Sequence, residues 1–289
     1  MSPIFGLPFG RRRARRDEVD LHMHSTHSDG SLSPAELVQQ ALRLGLRAIS
    51  ITDHDTTAGI PEARRAAEGT GLEVFPGVEL SASDGHSDVH LLIYGCEHDP
   101  EGFESELQHF RVARERRAEE MVRRLNDLGV ELTMQDVRAL AGHGALGRPH
   151  VAQALILKGH VETSQEAFRR YLGHNRPAYV PKEMLTIEDA ARLGRRFGGV
   201  ASVAHPGTLR RDDLLSSLRE RGVPGLEVWH SRHDEEVRKY YLALARRFKL
   251  VPTGGSDFHG AHNPGADMGC TCVPYSVLEE LRSILPAPE

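Results

Sequence analysis

At 289 residues, with 39% hydrophobic and 27% charged side chains, the chain has the make-up of an ordinary soluble globule. It is long enough for one large barrel or two modest domains, and its formal net charge of −5 gives no reason to expect wholesale nucleic-acid binding. No apolar run approaches the roughly 18 residues of a membrane span, and Met1 to Gly10 is too short and too broken by prolines and glycines for a signal segment. Cys96, Cys270 and Cys272 form no disulfide framework and read as small hydrophobes in a reducing compartment. The expected location is cytoplasmic, with no membrane and no obligate protein partner.

Residues 1–17 read as a flexible tail with a basic cluster from Arg11 to Arg16. From Val19 to His24 the residues alternate, Val19, Leu21 and Met23 to one side and Asp20, His22 and His24 to the other, as in a strand buried on both faces. Ser33-Pro34-Ala35-Glu36 combines an N-cap, a proline at the first helical position and a capping-box glutamate, and Gly45 ends the helix. A strand from Ala48 to Thr52 leads to Asp53-His54. A helix from about Ile60 to Glu68 follows, then strands from Glu73 to Leu80 and from Val89 to Tyr94. Strand, helix and strand in close succession predict parallel pairing with right-handed crossovers.

Between residues 99 and 198 the signals are almost all helical. The longest segment, Glu104 to Leu128, carries Leu107, Phe110, Met121, Leu125 and Leu128 on one face. Its arginines alternate with glutamates and read as a solvated, salt-bridged surface. Shorter helices are expected after Thr133, Pro149, Ser164 and Thr186, so the block reads as a helical cap inserted into an α/β frame of residues 18–98 and 199–289. Alternation resumes with strands at Val200–Ala204, Leu226–Trp229, Leu250–Thr253 and Thr271–Val273, giving about seven strands in the frame.

The chemistry gathers where these strands end. His22 and His24, two apart on one strand, can reach a single ion at about 2.0–2.1 Å. Asp29 lies in the turn just beyond. His54 is a candidate ligand, Asp53 a carboxylate suited to orienting an imidazole, and Asp55 an N-cap for the next helix. Glu79, with two oxygens, can bridge two ions. His90, His205 before a rigid Pro-Gly turn, and Asp257 with His259 complete the set. Imidazole nitrogen and carboxylate oxygen gathered from many strand ends suit a multinuclear site for divalent transition metals. His86, His98, His109, His160 and His174 read instead as packed or solvated residues, while His262 is open to either reading.

His22-Met23-His24-Ser25, Ser28-Asp29-Gly30, Thr52-Asp53-His54-Asp55, Gly77-Val78-Glu79, Ala204-His205-Pro206 and Ser256-Asp257-Phe258-His259 together resemble the motifs of the PHP (polymerase and histidinol phosphatase) phosphoesterases. Gly147-Arg148-Pro149-His150 and Pro177-Ala178-Tyr179-Val180-Pro181 narrow the resemblance to the TrpH or YciV type. The resemblance implies a distorted (β/α)7 TIM-like barrel with a small helical insert. It also implies removal of the 3′-phosphate from nucleoside 3′,5′-bisphosphates, hydrolysis of AMP, or 5′→3′ trimming of short RNA, by a metal-bridging hydroxide.

Two to three divalent ions (manganese, iron or zinc) are implied as well. By resemblance, His22, His24, Glu79 and Asp257 hold the first and Asp29, His54 and His259 the second. Glu79, His90 and His205 hold the third. Three divalent ions set against these carboxylates and a hydroxide leave a residual charge of about +2, matched to a phosphomonoester dianion. His205 and His233 are candidate catalytic imidazoles beside Asp53, and Arg148, His150 and His233 candidate substrate contacts.

The alternatives are a phosphatase of a non-nucleotide metabolite such as histidinol phosphate, or an amidohydrolase-type metal hydrolase. Against the latter, Lys158, Lys182, Lys239 and Lys249 all fall outside strand ends. A non-enzymatic accessory module would be expected to have lost ligands, and this set is complete.

Overall fold

The computed structural model of the chain describes residues 17–141, 146–181, 184–263 and 265–287, so the basic cluster at Arg11–Arg16 and Lys182 lie outside the described residues. The first stretch runs β1 (Glu18–Met23), α1 (Pro34–Leu44), β2 (Ala48–Ile51), α2 (Ile60–Ala67) and β3 (Glu73–Val74). Helix α1 starts as its sequence demands. Ser33 accepts from the Glu36 N–H, the Glu36 carboxylate returns to the Ser33 N–H at 2.8 Å, and Gly45 closes the helix at φ 73°. β1 pairs in parallel with β2, β2 with β3, and the late strand β10 (Val273–Pro274) joins β1 antiparallel. Cys270 and Cys272 are not part of that strand; they are free thiols before it, Cys272 at φ 52°.

The expected strand from Glu73 to Leu80 divides in two. Pro76 has no N–H for a ladder, and after it the chain enters a second sheet as β4 (Gly77–Ser83). β4 turns back through β5 (Asp88–Tyr94), which runs antiparallel to β4 and also to β7 (Val200–Val203). Parallel order therefore holds on either side of a reversed strand, because a short turn can join only antiparallel neighbours. β7, β8 (Gly225–Trp229) and β9 (Val251–Gly254) then pair in parallel. A two-residue strand, β6 (Leu185–Thr186), adds to the β4 edge inside the stretch expected to be almost all helical.

Backbone bonds join the two sheets at two seams. His24 N–H donates to the Phe258 carbonyl at 2.9 Å and Asp257 N–H to the His22 carbonyl at 2.8 Å. At the other seam Asp55 N–H donates to the Glu79 carbonyl at 3.0 Å, and Glu79 N–H to the Asp53 carbonyl at 3.2 Å. Glycine makes both approaches possible. A Cβ at Gly255 would collide with the His22 backbone nitrogen, and one at Gly77 with the Ser50 hydroxyl. Several candidate ligands thus sit on the backbone that joins the sheets.

Helices α3 (Pro100–Asp127), α4 (Met134–Ala141), α5 (Arg148–Leu157) and α6 (Ser164–Ala167), with a π turn at Phe168–Leu172, follow β5. α3 has two duties along its length. Phe103 and Leu107 pack into the core of the second sheet, while Ala118, Met121, Val122 and Leu125 pack with Val151, Leu155 and Leu172 in a separate apolar cluster. α7 (Ile187–Arg196) buries Ile187, Ala190 and Ala191 in the sheet core. α8 (Pro206–Leu209), a 3₁₀ turn at Asp212–Ser217, α9 (Glu235–Phe248) and α10 (Ser276–Ser283) complete the described helices, with a second 3₁₀ turn at Gly260–His262. No described helix is long and apolar enough to cross a membrane.

Candidate metal centre

β1 delivers His22 and His24 to one side, with ring centroids 5.3 Å apart. Their Nε2 atoms converge on the same two oxygens. Asp257 Oδ1 lies 3.3 and 3.4 Å away, and Glu79 Oε2 lies 3.4 and 3.1 Å away. Ligand atoms placed tetrahedrally about an ion at about 2.1 Å stand roughly 3.4 Å from one another. The spacing is therefore that of a coordination shell.

Around Asp29, a second group gathers His24, His54 and His259. His259 Nε2 is 3.3 Å from Asp29 Oδ1, His54 Nε2 is 3.7 Å from Asp29 Oδ2, and the His24 and His259 rings stack at 4.1 Å. A third group combines His54, Glu79 and His90. His90 Nδ1 stands 2.8 Å from Glu79 Oε1, and His205 Nε2 reaches the same oxygen at 3.2 Å. The two oxygens of Glu79 thus face different histidines: Oε2 meets His22, His24 and His54, and Oε1 meets His90 and His205.

A test of fit comes from two buried nitrogens. His24 Nε2 and His54 Nδ1 make no hydrogen bond among the described residues, although both lie within 3.4 Å of Glu79 Oε2. A buried polar atom left unpaired is costly, and a cation in these groups would satisfy both. The donor set of imidazole and carboxylate fits divalent transition metals.

The electrostatics agree. Burial opposes charge on Glu79, yet the imidazoles of His54, His90 and His22 hold it well below the usual carboxylate range. Asp257, similarly buried, is held low by His22, His230 and His24. Burial also opposes charge on His24, but Asp257 and Glu79 overcome it and raise the ring to about 10. For His54 burial prevails, with His24 and His90 adding to it, and the ring falls to about 3.

A supporting shell holds these groups. His259 Nδ1 donates to the Asp257 carbonyl at 2.9 Å. Asp53, expected to orient an imidazole, touches none directly. It accepts from Ser25 N–H, Ser25 Oγ and Ser28 Oγ, each at 2.6 Å, and Ser28 Oγ in turn lies 3.3 Å from His24 Nδ1. Asp55 does not cap α2, whose N-cap is Gly59; its carboxylate pairs with Arg114.

His233, a candidate catalytic and substrate group in the sequence, has both ring nitrogens engaged. Its Nδ1 donates to the Val228 carbonyl at 2.9 Å and its Nε2 accepts from Gly207 N–H at 3.2 Å, so neither nitrogen is free. Burial holds its ring below the ordinary value. Arg148 and His150 lie outside the three groups. Arg148 stands 3.8 Å from Asp88, with the Phe168 and Tyr179 rings 5.8 and 5.9 Å from its guanidinium carbon. His150 Nδ1 accepts from Gly147 N–H at the start of its own helix. His262, left open by the sequence, donates from Nδ1 to the Asp29 carbonyl at 2.9 Å.

One buried acid escaped the sequence reading. Glu227, fully buried in β8, lies 2.9 Å from His22 Nδ1. His230 Nε2 lies 3.4 Å from Asp257 Oδ2, while its Nδ1 accepts from Arg232 N–H. A charged residue inside the apolar run Gly225–Trp229 was the available signal for Glu227. Nor are the α3 arginines a uniformly solvated face. Arg111 donates to the Asp55 carbonyl at 2.6 Å, Arg114 to Ser81 Oγ at 3.0 Å and Arg117 to the Val180 carbonyl at 2.9 Å.

The family model for the PHP domain matches residues 20–180. The chain is 35% identical over 249 residues to a 5′-3′ exoribonuclease of Haemophilus influenzae, covering 84% of this chain and 90% of the relative. It is 32% identical over 284 residues to a 3′,5′-nucleoside bisphosphate phosphatase of Chromobacterium violaceum, covering 93% and 99%. A crystal structure from Bifidobacterium adolescentis, described as a metal-dependent phosphoesterase, is similar with a TM-score of 0.79 and 35% identity, over 93% of this chain and 97% of that one. Matched in motif, fold and sequence over most of its length, the chain belongs to the PHP-domain family and is a metal-dependent phosphoesterase.

Proposed function

We propose that the protein hydrolyses phosphate esters of small nucleotides, namely nucleoside 3′,5′-bisphosphates, AMP or short RNA. The observation that carries this reading is the division of Glu79, whose two oxygens face two different sets of histidines. A carboxylate used in this way joins adjacent cation sites, and clustered cations suit a phosphate dianion. Activities of the Haemophilus and Chromobacterium relatives support the nucleotide class.

On this reading His22, His24, Glu79 and Asp257 hold one divalent ion and Asp29, His54 and His259 a second, with His24 close to both. Glu79, His90 and His205 hold a third, with His54 at its edge. Manganese, iron and zinc all suit these ligands. When bound, the ions neutralise phosphoryl oxygens and acidify a water nucleophile. The protein's own task is to hold the ligands in register and to grip the rest of the substrate. Asp53 does the former through Ser25 and Ser28. Arg148, bracketed by Phe168 and Tyr179, would take a second phosphate, with His150 beside it. The two seams would close the sheets into a distorted TIM-like barrel of residues 18–98 and 199–289, capped by the helices between.

The test is a panel assayed with manganese-reconstituted protein: AMP, a nucleoside 3′,5′-bisphosphate, short 5′-phosphorylated RNA, histidinol phosphate, a dihydropyrimidine and a lactone. Release of phosphate from AMP or the bisphosphate, or of mononucleotides from the RNA, with the neutral amide and lactone inert, is expected. Turnover of histidinol phosphate alone would overturn the nucleotide assignment, and turnover of the neutral compounds alone would overturn the chemistry.

A further inference from the structure

Glu227 occupies the middle of β8, a strand that supplies no member of the three ligand groups, and its side chain is wholly buried. A carboxylate in such surroundings is costly unless both oxygens find donors. Both do. Oε1 lies 2.9 Å from His22 Nδ1, and Oε2 accepts the backbone N–H of His205 at 2.6 Å. His205 needs such a hold. Its backbone is left-handed, at φ 33° and ψ 56°, a region that residues with a Cβ seldom adopt, and Pro206 follows it directly.

We infer that Glu227 is a positioning residue: it keeps the His22 ring proton on Nδ1, so that Nε2 offers its lone pair to the corner formed by Asp257 and Glu79, and with its other oxygen it holds the His205 turn. The inference rests on the ligand reading above. It explains why an acid stands inside an apolar strand, and it links a ligand from β1 to one that follows β7 through a single side chain. Its chemistry is strict. Each oxygen accepts a hydrogen, so an amide cannot serve both partners. Turned one way, glutamine sets its N–H against the His205 N–H. Turned the other way, it donates to His22 Nδ1 and drives the ring proton onto Nε2, where it blocks metal binding.

Zinc, which is diamagnetic, is the probe, with affinity measured by chelator competition and stoichiometry by elemental analysis. Glu227→Gln should fold cooperatively and bind its weakened zinc about ten- to a hundredfold less tightly than the wild type. In a His22→Asn background the same change should cost much less, because the ring it acts through is absent. In the ¹⁵N-histidine spectrum of the zinc-loaded wild type, the His22 proton should reside on Nδ1. Unchanged zinc affinity in Glu227→Gln with a lowered melting temperature would make the carboxylate merely structural and overturn the inference. So would an undiminished penalty in the His22→Asn background. Should Glu227→Gln fail to fold, the Nδ1–H of the zinc-loaded wild type decides: a strongly downfield proton, as in a hydrogen bond to a carboxylate, supports the inference, and an Nδ1–H without that shift, or a proton on Nε2, overturns it. Failure of the wild type to bind zinc or manganese at all would defeat the ligand reading itself, a distinct result.

Discussion

Arg114 of the long helix is ion-paired with the carboxylate of Asp55, the residue immediately after His54, and the two side chains are only 14% and 5% exposed. Arg111 binds the Asp55 carbonyl from the same helix, and the Asp55 N–H is bound by the Glu79 carbonyl. One short loop is therefore tied both to the helix above it and to the residue at the centre of the site. Removing one partner of a buried pair leaves the other charge uncompensated, at roughly 3–5 kcal/mol. Arg114→Ala should lower unfolding free energy by about that amount in urea denaturation, and should loosen metal held by His54. A loss under about 1 kcal/mol would show that water already screens the pair.

Glu79→Gln should disturb two metal sites together. Its Oε1 and Oε2 face separate sets of histidines; in the amide one of these becomes a nitrogen that cannot ligate, and the other a neutral, weaker oxygen ligand. Elemental analysis after manganese reconstitution should find two to three ions in the wild type. The variant should hold fewer, by more than a single ion's worth of occupancy. Loss of one ion alone would rule out bridging, and a wild type with at most one ion would rule out a trinuclear site.

The insert residue Arg148 is best judged by comparing substrates. Loss of a charge-assisted hydrogen bond to phosphate is worth about 1.5–3 kcal/mol, or roughly ten- to a hundredfold in kcat/KM. Arg148→Ala should show this loss on a 3′,5′-bisphosphate or short RNA, with little loss on a simple monoester and no change in metal content. Equal losses on all substrates would place Arg148 at the reacting phosphoryl group. No loss on any would leave it packing against Phe168 and Tyr179.

With metal removed by a chelator, stability should peak near neutrality. His24, raised from 6.5 to about 10, contributes stability that is fully present below its unfolded value and lost as pH rises through 10. Asp257 and Glu79, both depressed, contribute stability present above their unfolded values of 3.8 and 4.5 and lost on acidification. His54, lowered to about 3, works in the same direction as the carboxylates, because below 6.5 the unfolded chain takes up a proton that the folded ring refuses. The melting temperature of the stripped protein should therefore decline on both sides of about pH 6.5. Metal should remove much of the alkaline decline, since ions compete with protons for the same nitrogens. A flat profile between pH 6.5 and 10 in the stripped protein would contradict the raised His24.

The ligand types were legible because the chemistry is written locally. A His-x-His in a strand must place both rings on one side, since side chains alternate, and Asp257 with His259 follows the same spacing beyond β9. Local rules also gave the start of α1, where Ser33, Pro34 and Glu36 act within one turn. Asp53 and His233 were harder. Their roles turn on which partner lies across the fold, and in each case the partner is a serine or a backbone group that carries no motif of its own.

What the amino-acid sequence determined by itself was the inventory: strand ends rich in imidazole and carboxylate, helices with their caps, and a helical stretch after Tyr94. Tertiary structure alone decided the assembly. It reversed β5, split the strand at Pro76 between two sheets, turned Arg111 and Arg114 inward and buried Glu227 against His22. The reason is range. Caps and alternation are satisfied within a few residues, whereas a buried charge must find its counterpart through packing, and any of several distant groups could have met it.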